Sequence, residues 1–152
     1  MAVPQRYAQS GKSVLEDFAG YNLKRAYMIF QADFTRALEA ADLSPRVFSA
    51  LALIVEQPAI TQSALARTLG IERSGLVSIV DELERRGLAL RAAVPGDRRA
   101  QALYPTQQGQ RDFAGALEKV YAHETELLSE FTPDERDQLM GLLSKIRTLS
   151  EG

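Results

Sequence analysis

Arg98 and Arg99 directly follow Pro95-Gly96-Asp97, and this short run is the most pointed chemical feature of the chain. Proline followed by glycine favours a tight turn, so two permanent cations stand at a turn with no core nearby to enter. Planar guanidinium groups so placed suit phosphates and the narrow minor groove of DNA, whose negative potential draws arginine. Little else could perform covalent or metal chemistry. The chain lacks cysteine, which excludes disulfides, thiolate nucleophiles and Cys-ligated zinc. Its single histidine, His123, makes no metal cluster, and neither a nucleophile–base pair nor a phosphate loop is present. No enzymatic activity, metal or cofactor is therefore expected.

Charge distribution supports an anionic partner although the net charge is −2. Between Thr61 and Arg111 stand eight arginines (67, 73, 85, 86, 91, 98, 99 and 111) against five carboxylates, a local net of +3. The rest of the chain is left at −5, an acidic frame around a basic middle. No apolar run approaches the length of a membrane span, and the first 20 residues lack a signal-peptide core. A soluble, cytoplasmic protein is expected. With 152 residues, 45% of them hydrophobic, a single domain with a true core is expected.

The elements that must position the arginines can be read from periodicity and punctuation. The first dozen residues read as a loose arm. A long helix is predicted over 14–41, with Gly20 as its weak point. Ser44-Pro45 reads as an N-cap and first helical residue, opening a helix to about Glu56. Thr61 caps a short helix that ends at Gly70, and another runs from Arg73 to Arg86 and stops at Gly87. Leu88–Ala93 and Ala100–Tyr104 are predicted as two strands joined by a basic loop from Val94 to Arg99. Thr106 starts a second long helical region, 106–150. Within it Thr132-Pro133-Asp134-Glu135 predicts a capping box and a last helix.

The two short helices around Gly70 have helix-turn-helix spacing. Leu76, Ile79, Val80 and Leu83 form one apolar stripe on the second helix, while Ser74, Ser78, Asp81 and Arg85 share the opposite face. The small, hydroxyl-bearing start of that helix would let its backbone lie close to base edges or phosphates. Gly75 costs roughly 1 kcal/mol relative to alanine there, so close approach of DNA or a neighbouring helix is expected to account for it. Asp81 would repel phosphate, and its i+4 neighbour Arg85 is expected to neutralise it.

Three segments resemble the MarR family of bacterial transcriptional regulators: Leu65-Ala66-Arg67 with Leu69-Gly70, Val80-Asp81-Glu82-Leu83-Glu84-Arg85-Arg86-Gly87-Leu88, and Gly96-Asp97-Arg98-Arg99-Ala100. The resemblance implies a mainly α fold with a small β-hairpin, a winged helix-turn-helix flanked by long N- and C-terminal dimerisation helices. Residues 44–104 would form the DNA-binding region of a homodimer, acting as a repressor on an inverted-repeat operator in double-stranded DNA. Ser74, Gly75, Val77 and Ser78 would be recognition-helix positions, with Arg73 beside them. Asp97, Arg98 and Arg99 would form the wing, one arginine entering DNA while the aspartate pairs with an arginine; which arginine does which stays open. One departure is that Leu103-Tyr104-Pro105-Thr106 stands where relatives commonly carry a Leu-Thr pair, which leaves the register of the wing's exit open.

The resemblance also implies a small-molecule effector held between the dimerisation helices and the DNA-reading unit. An aromatic acid or its thioester would suit Tyr27, Phe30, Phe34 and Phe48, with Arg46 or His123 meeting an anion. The competing function is a winged-helix module that binds proteins without touching DNA. Such a module has no need of two arginines at the wing. Apolar residues on several sides of the first helix, among them Leu15, Tyr21, Leu23, Tyr27 and Ile29, independently call for a partner chain.

Overall fold

The computed structural model describes residues 11–151. The loose arm expected over the first dozen residues lies almost wholly outside them. A 3-10 turn, Val14–Asp17, precedes α1 (Ala19–Glu39), α2 (Pro45–Glu56) and β1 (Ile60–Thr61). Then come α3 (Gln62–Leu69), α4 (Arg73–Arg85), β2 (Ala89–Val94), β3 (Asp97–Pro105), α5 (Gln107–Leu127) and α6 (Pro133–Thr148). None of the described helices is long and apolar enough to cross a membrane.

The continuous helix expected over 14–41 is interrupted, and not at Gly20. Phe18 is extended (φ −100°, ψ 128°) and separates the 3-10 turn from α1. Ser13 and Glu16 close a reciprocal capping box around that turn. Asn22 then donates to the carbonyls of Glu16 and Phe18 at 2.8 and 2.9 Å, satisfying acceptors that the break would leave open. At the other end, Thr132 accepts from the Glu135 N–H at 3.2 Å, but Glu135 does not reach back, so the expected box is only half made.

The central helices begin and stop where their caps predict. Ser44 and Thr61 accept from Val47 and Ala64 amides at 3.2 and 3.1 Å. Gly70 (φ 65°) and Gly87 (φ 71°) take the left-handed conformation that ends α3 and α4. All four residues of the α4 stripe, Leu76, Ile79, Val80 and Leu83, are buried with Leu38, Leu51, Ile54, Leu65, Leu88 and Leu103 in one core. At roughly 1.5–3 kcal/mol for each fully buried aliphatic side chain, this stripe is what orients α4.

Three antiparallel strands pair in the order β1-β3-β2. β1 was not foreseen: Ile60 and Thr61 pair with Leu103 and Ala102, and two residues carry no periodicity to read. Pro105 pairs with Ala89, so Leu103-Tyr104-Pro105 simply continues β3 and the wing's exit keeps its register. Thr106 then accepts from the Gly109 N–H at 2.9 Å and donates to the Gly87 carbonyl at 2.6 Å. α6, by contrast, buries none of its residues. Met140, Leu142 and Ile146 are exposed there, as are Tyr27, Met28 and Ile29 on α1.

Gly109 sits so close to the β2 entrance that a Cβ would lie 2.0 Å from the Leu88 carbonyl oxygen. Gly115, six residues on in the same helix, has nothing within 4 Å. Gly109→Ala is expected to destabilise the protein by about 1–3 kcal/mol through overpacking. Gly115→Ala should be neutral or stabilising by up to about 1 kcal/mol. Chemical denaturation of the two variants checks this, and equal midpoints would refute the contact.

Candidate nucleic-acid interface

α3, the turn at Gly70 and α4 form the helix-turn-helix, and burial of the α4 stripe leaves Arg73, Ser74, Val77 and Ser78 exposed on its outer side. The Ser78 hydroxyl donates to the Ser74 carbonyl at a long 3.4 Å, a weak bond that an outside partner could replace. Gly75 is half-buried. Among the described residues, and apart from its own helix backbone and chain neighbours, the atom within 4 Å of the place of its missing Cβ is the Arg46 guanidinium Nη2 on α2, at an ordinary contact distance of 3.8 Å. A neighbouring helix thus lies beside Gly75, though without demanding glycine.

The wing differs in detail from the loop expected over Val94–Arg99. Its turn is Pro95-Gly96 alone, with Gly96 at φ 83°, and Val94 pairs with Asp97 across it. Ala93 pairs next with Gln101, so Arg98, Arg99 and Ala100 bulge from β3 against a single step of β2. Asp97 does not pair with an arginine side chain. Its carboxylate accepts from the backbone N–H of Arg99 at 3.0 Å, because the bulge brings that amide within reach of so short a side chain. Both guanidinium groups are therefore exposed and make no ion pair among the described residues. A hollow of about 210 Å³ lies between the wing and the helix-turn-helix, with Gln62, Ser63, Arg73, Val77 and Arg99 in its walls. Arg73 and Arg99 thus flank one concavity, and Arg98 stands outside it.

Asp81 also finds a different partner from the one expected. Arg91, from β2, bonds to Asp81, to Glu84 at 2.6 Å and to Gln62 at 2.9 Å. Its pKa is raised, first by the hydrogen bond to Asp81, against an opposing cost of desolvation. One guanidinium thereby ties the wing to both helices and neutralises two carboxylates that would face an anionic partner. Arg86 is engaged too, donating to the Asp42 carbonyl at 2.7 Å. The arginines of the basic middle that remain exposed and make no ion pair among the described residues are Arg67, Arg73, Arg85, Arg98, Arg99 and Arg111.

Of the hollows along α1, two are walled by further helices as well. One of about 240 Å³ against α5 is lined by Tyr27, Phe30, Asp33, Phe34, Val120 and Glu124. The other, about 370 Å³ against α2 and the end of α3, includes Tyr27, Phe34, Arg46, Ser49, Leu69 and Ile71. Four of the expected effector residues, Tyr27, Phe30, Phe34 and Arg46, line these clefts. Phe48 does not: it is buried behind them, edge-on to Phe34 and tilted on Phe113, each at 5.5 Å. His123 lines neither cleft, and its Nδ1 lies 3.2 Å from the Asp33 carboxylate behind the first of them. A carboxylate as buried as Asp33 needs such a partner. Asp33 was missed from the sequence, although its place between Phe30 and Ala37 on the apolar side of α1 marks it as unusual.

The sequence model of the MarR family matches residues 41–100, from the turn before α2 to the wing bulge. A Thauera aromatica protein assigned as a transcriptional regulator of the hcr operon is 30% identical over 128 residues, covering 84% of this chain and 77% of that one. The chain belongs to the MarR family. The transcriptional repressor CouR, solved bound to a 23-mer DNA duplex, is 37% identical, with a TM-score of 0.83 over 88% of this chain and 94% of its own. CouR from Rhodococcus jostii RHA1, solved with p-coumaroyl-CoA, is 29% identical, with a TM-score of 0.78 over 89% and 95%. MarR-family proteins are DNA-binding transcriptional regulators, and this membership rules against the enzyme reading.

In a DNA-binding protein of this family, loss of the Arg91 guanidinium should be felt mainly at the DNA. Arg91→Met keeps the aliphatic stem but bares Asp81 and Glu84. These pairs are partly exposed and screened, so the stability cost should be only about 1 kcal/mol. Affinity for duplex DNA should fall about tenfold, or ~1.4 kcal/mol. Adding Asp81→Asn should restore part of it. Fluorescence anisotropy on a labelled duplex measures both, and an unchanged affinity would remove this role from Arg91.

Proposed function

We propose that this chain is a homodimeric transcriptional repressor that reads an inverted-repeat operator and leaves it when an aromatic acyl thioester binds. The observation that carries the DNA reading is the pairing of Arg73 and Arg99 across one hollow on the exposed side of α4. Ser74, Gly75, Val77 and Ser78 enter the major groove, where small side chains allow close approach. The wing, Asp97 to Arg99, follows the backbone into the adjacent minor groove, with Asp97 shaping the bulge that frees the arginines. Residues 44–104 are then the DNA-reading unit. Work on a chromosomal operator places the protein in the cytoplasm.

The dimer reading rests on helices that one chain cannot cover. α6 buries nothing of its own chain, and α1 carries exposed Tyr27, Met28 and Ile29. Regions 14–41 and 106–150 are accordingly the dimerisation elements. A two-fold axis requires two half-sites with centres about one helical turn, ~34–36 Å, apart. Sedimentation should show a dimer at micromolar concentration, and a stable monomer would refute the assembly. The effector reading is supported by the aromatic clefts along α1 and by the CouR structures that hold p-coumaroyl-CoA.

Replacing the DNA-contacting wing arginine by alanine is expected to cost about 1–3 kcal/mol per half-site, with folding intact. Binding should be steeply salt-dependent despite the negative net charge, and the slope should shrink in the variant. Mobility shifts with the protein's own upstream DNA, across a salt series, test this with Arg98→Ala plus Arg99→Ala. Unchanged affinity and slope would instead favour a winged-helix module that binds proteins.

A further inference from the structure

The two clefts share Tyr27, Gln31 and Phe34, so they adjoin along one partly aromatic wall and together make a trough. Their ends differ in charge. Arg46 lies at the end toward α4, while Asp33 and Glu124 lie at the end toward α5. Asp33 is the buried charged residue among those described, only 8% exposed. Its Oδ1 takes the His123 Nδ1 at 3.2 Å and the Arg36 Nη2 at 3.5 Å, and a carboxylate can only accept in both. Its Oδ2 has no partner among the described residues. An acceptor left over beside aromatic walls favours a ligand that brings a donor, and the two carboxylates repel an anionic ring substituent.

Building on the effector reading above, we propose that Asp33 is a specificity-determining residue that accepts a hydrogen bond from a hydroxyl on the effector's ring. The effector is then a hydroxylated aromatic acyl compound lying in one direction. Its ring sits between Tyr27, Phe30 and Phe34 with the hydroxyl at Asp33, and its anionic part extends toward Arg46. His123 holds the carboxylate in place as a positioning residue. Arg46 also stands beside Gly75 in the first turn of α4, so the anionic end of the trough adjoins the DNA-reading helix.

Calorimetric titration of the full-length protein with three thioesters tests this: 4-hydroxycinnamoyl-CoA, cinnamoyl-CoA and 4-methoxycinnamoyl-CoA. The native protein should bind the hydroxylated compound about 10- to 100-fold more tightly than the other two, the range of a hydrogen bond to a charged acceptor. Asp33→Asn, which offers an amide donor where the free acceptor stood, should erase that preference and favour the methoxy compound. Measurable binding of cinnamoyl-CoA by the variant shows that its cleft is still folded. Equal binding of the hydroxy and methoxy compounds by the native protein, or a preference that survives Asp33→Asn, overturns the proposal and leaves the effector reading standing. No binding of any of the three overturns both.

Discussion

Leu88 stands where four elements meet, and its backbone ties them together. Its N–H donates to the Leu83 carbonyl at 2.8 Å, closing α4 behind the left-handed Gly87. Its carbonyl accepts from Thr106 at 3.1 Å, at the junction of β3 and α5. The Thr106 hydroxyl bonds back to Gly87, and Gly109 lets the first turn of α5 lie against the same carbonyl. Each bond satisfies a backbone group that a helix end or strand end would otherwise leave open. Together they set the angle between α4, the base of the wing and α5.

Electrostatics acts over the same short distances. The chain is acidic overall, so a phosphate-binding face requires that nearby carboxylates be masked locally. Arg91 masks Asp81 and Glu84, and Asp97 is turned inward to the Arg99 amide. Arg73, Arg98 and Arg99 then project toward solvent without an ion pair among the described residues, with Glu72 exposed beside Arg73. Net charge is a poor guide when the Debye length is about 8 Å at physiological ionic strength. The sign of one face matters more.

The clefts and the uncovered helix face meet on α1. α1 contributes Tyr27 to both clefts and, with Met28 and Ile29, a face without cover in its own chain. A ligand in the trough can alter DNA binding only if it prefers one arrangement of α1 relative to α4. Arg46 lines one cleft and also stands beside Gly75 in the first turn of α4, so it touches both. Phe48 and Phe113, packed behind Phe34, make the inner wall stiff.

Much of this architecture was legible before any tertiary contact was known. Ser44, Thr61 and Thr106 cap helices, Gly70 and Gly87 end them, and the α4 stripe faces the core, because each signal acts within about one helical turn of itself. The MarR resemblance likewise rested on contiguous runs of residues. Pairings between distant parts of the chain were not legible. β1 depends on Leu103, 43 positions from Ile60, and is entered through Ala59 at φ 76°, a conformation held by its N–H bond to the Leu103 carbonyl. Asp81 chose Arg91 over Arg85 because a strand brought the more enclosed guanidinium alongside. Asp33 and His123, 90 positions apart, meet only when α1 packs on α5. The sequence by itself determined where helices start, stop and turn their apolar sides, since those depend on neighbours along the chain. Tertiary structure decided which charges are masked and which remain free, since a charged side chain pairs with whatever the packed core brings within a few ångströms.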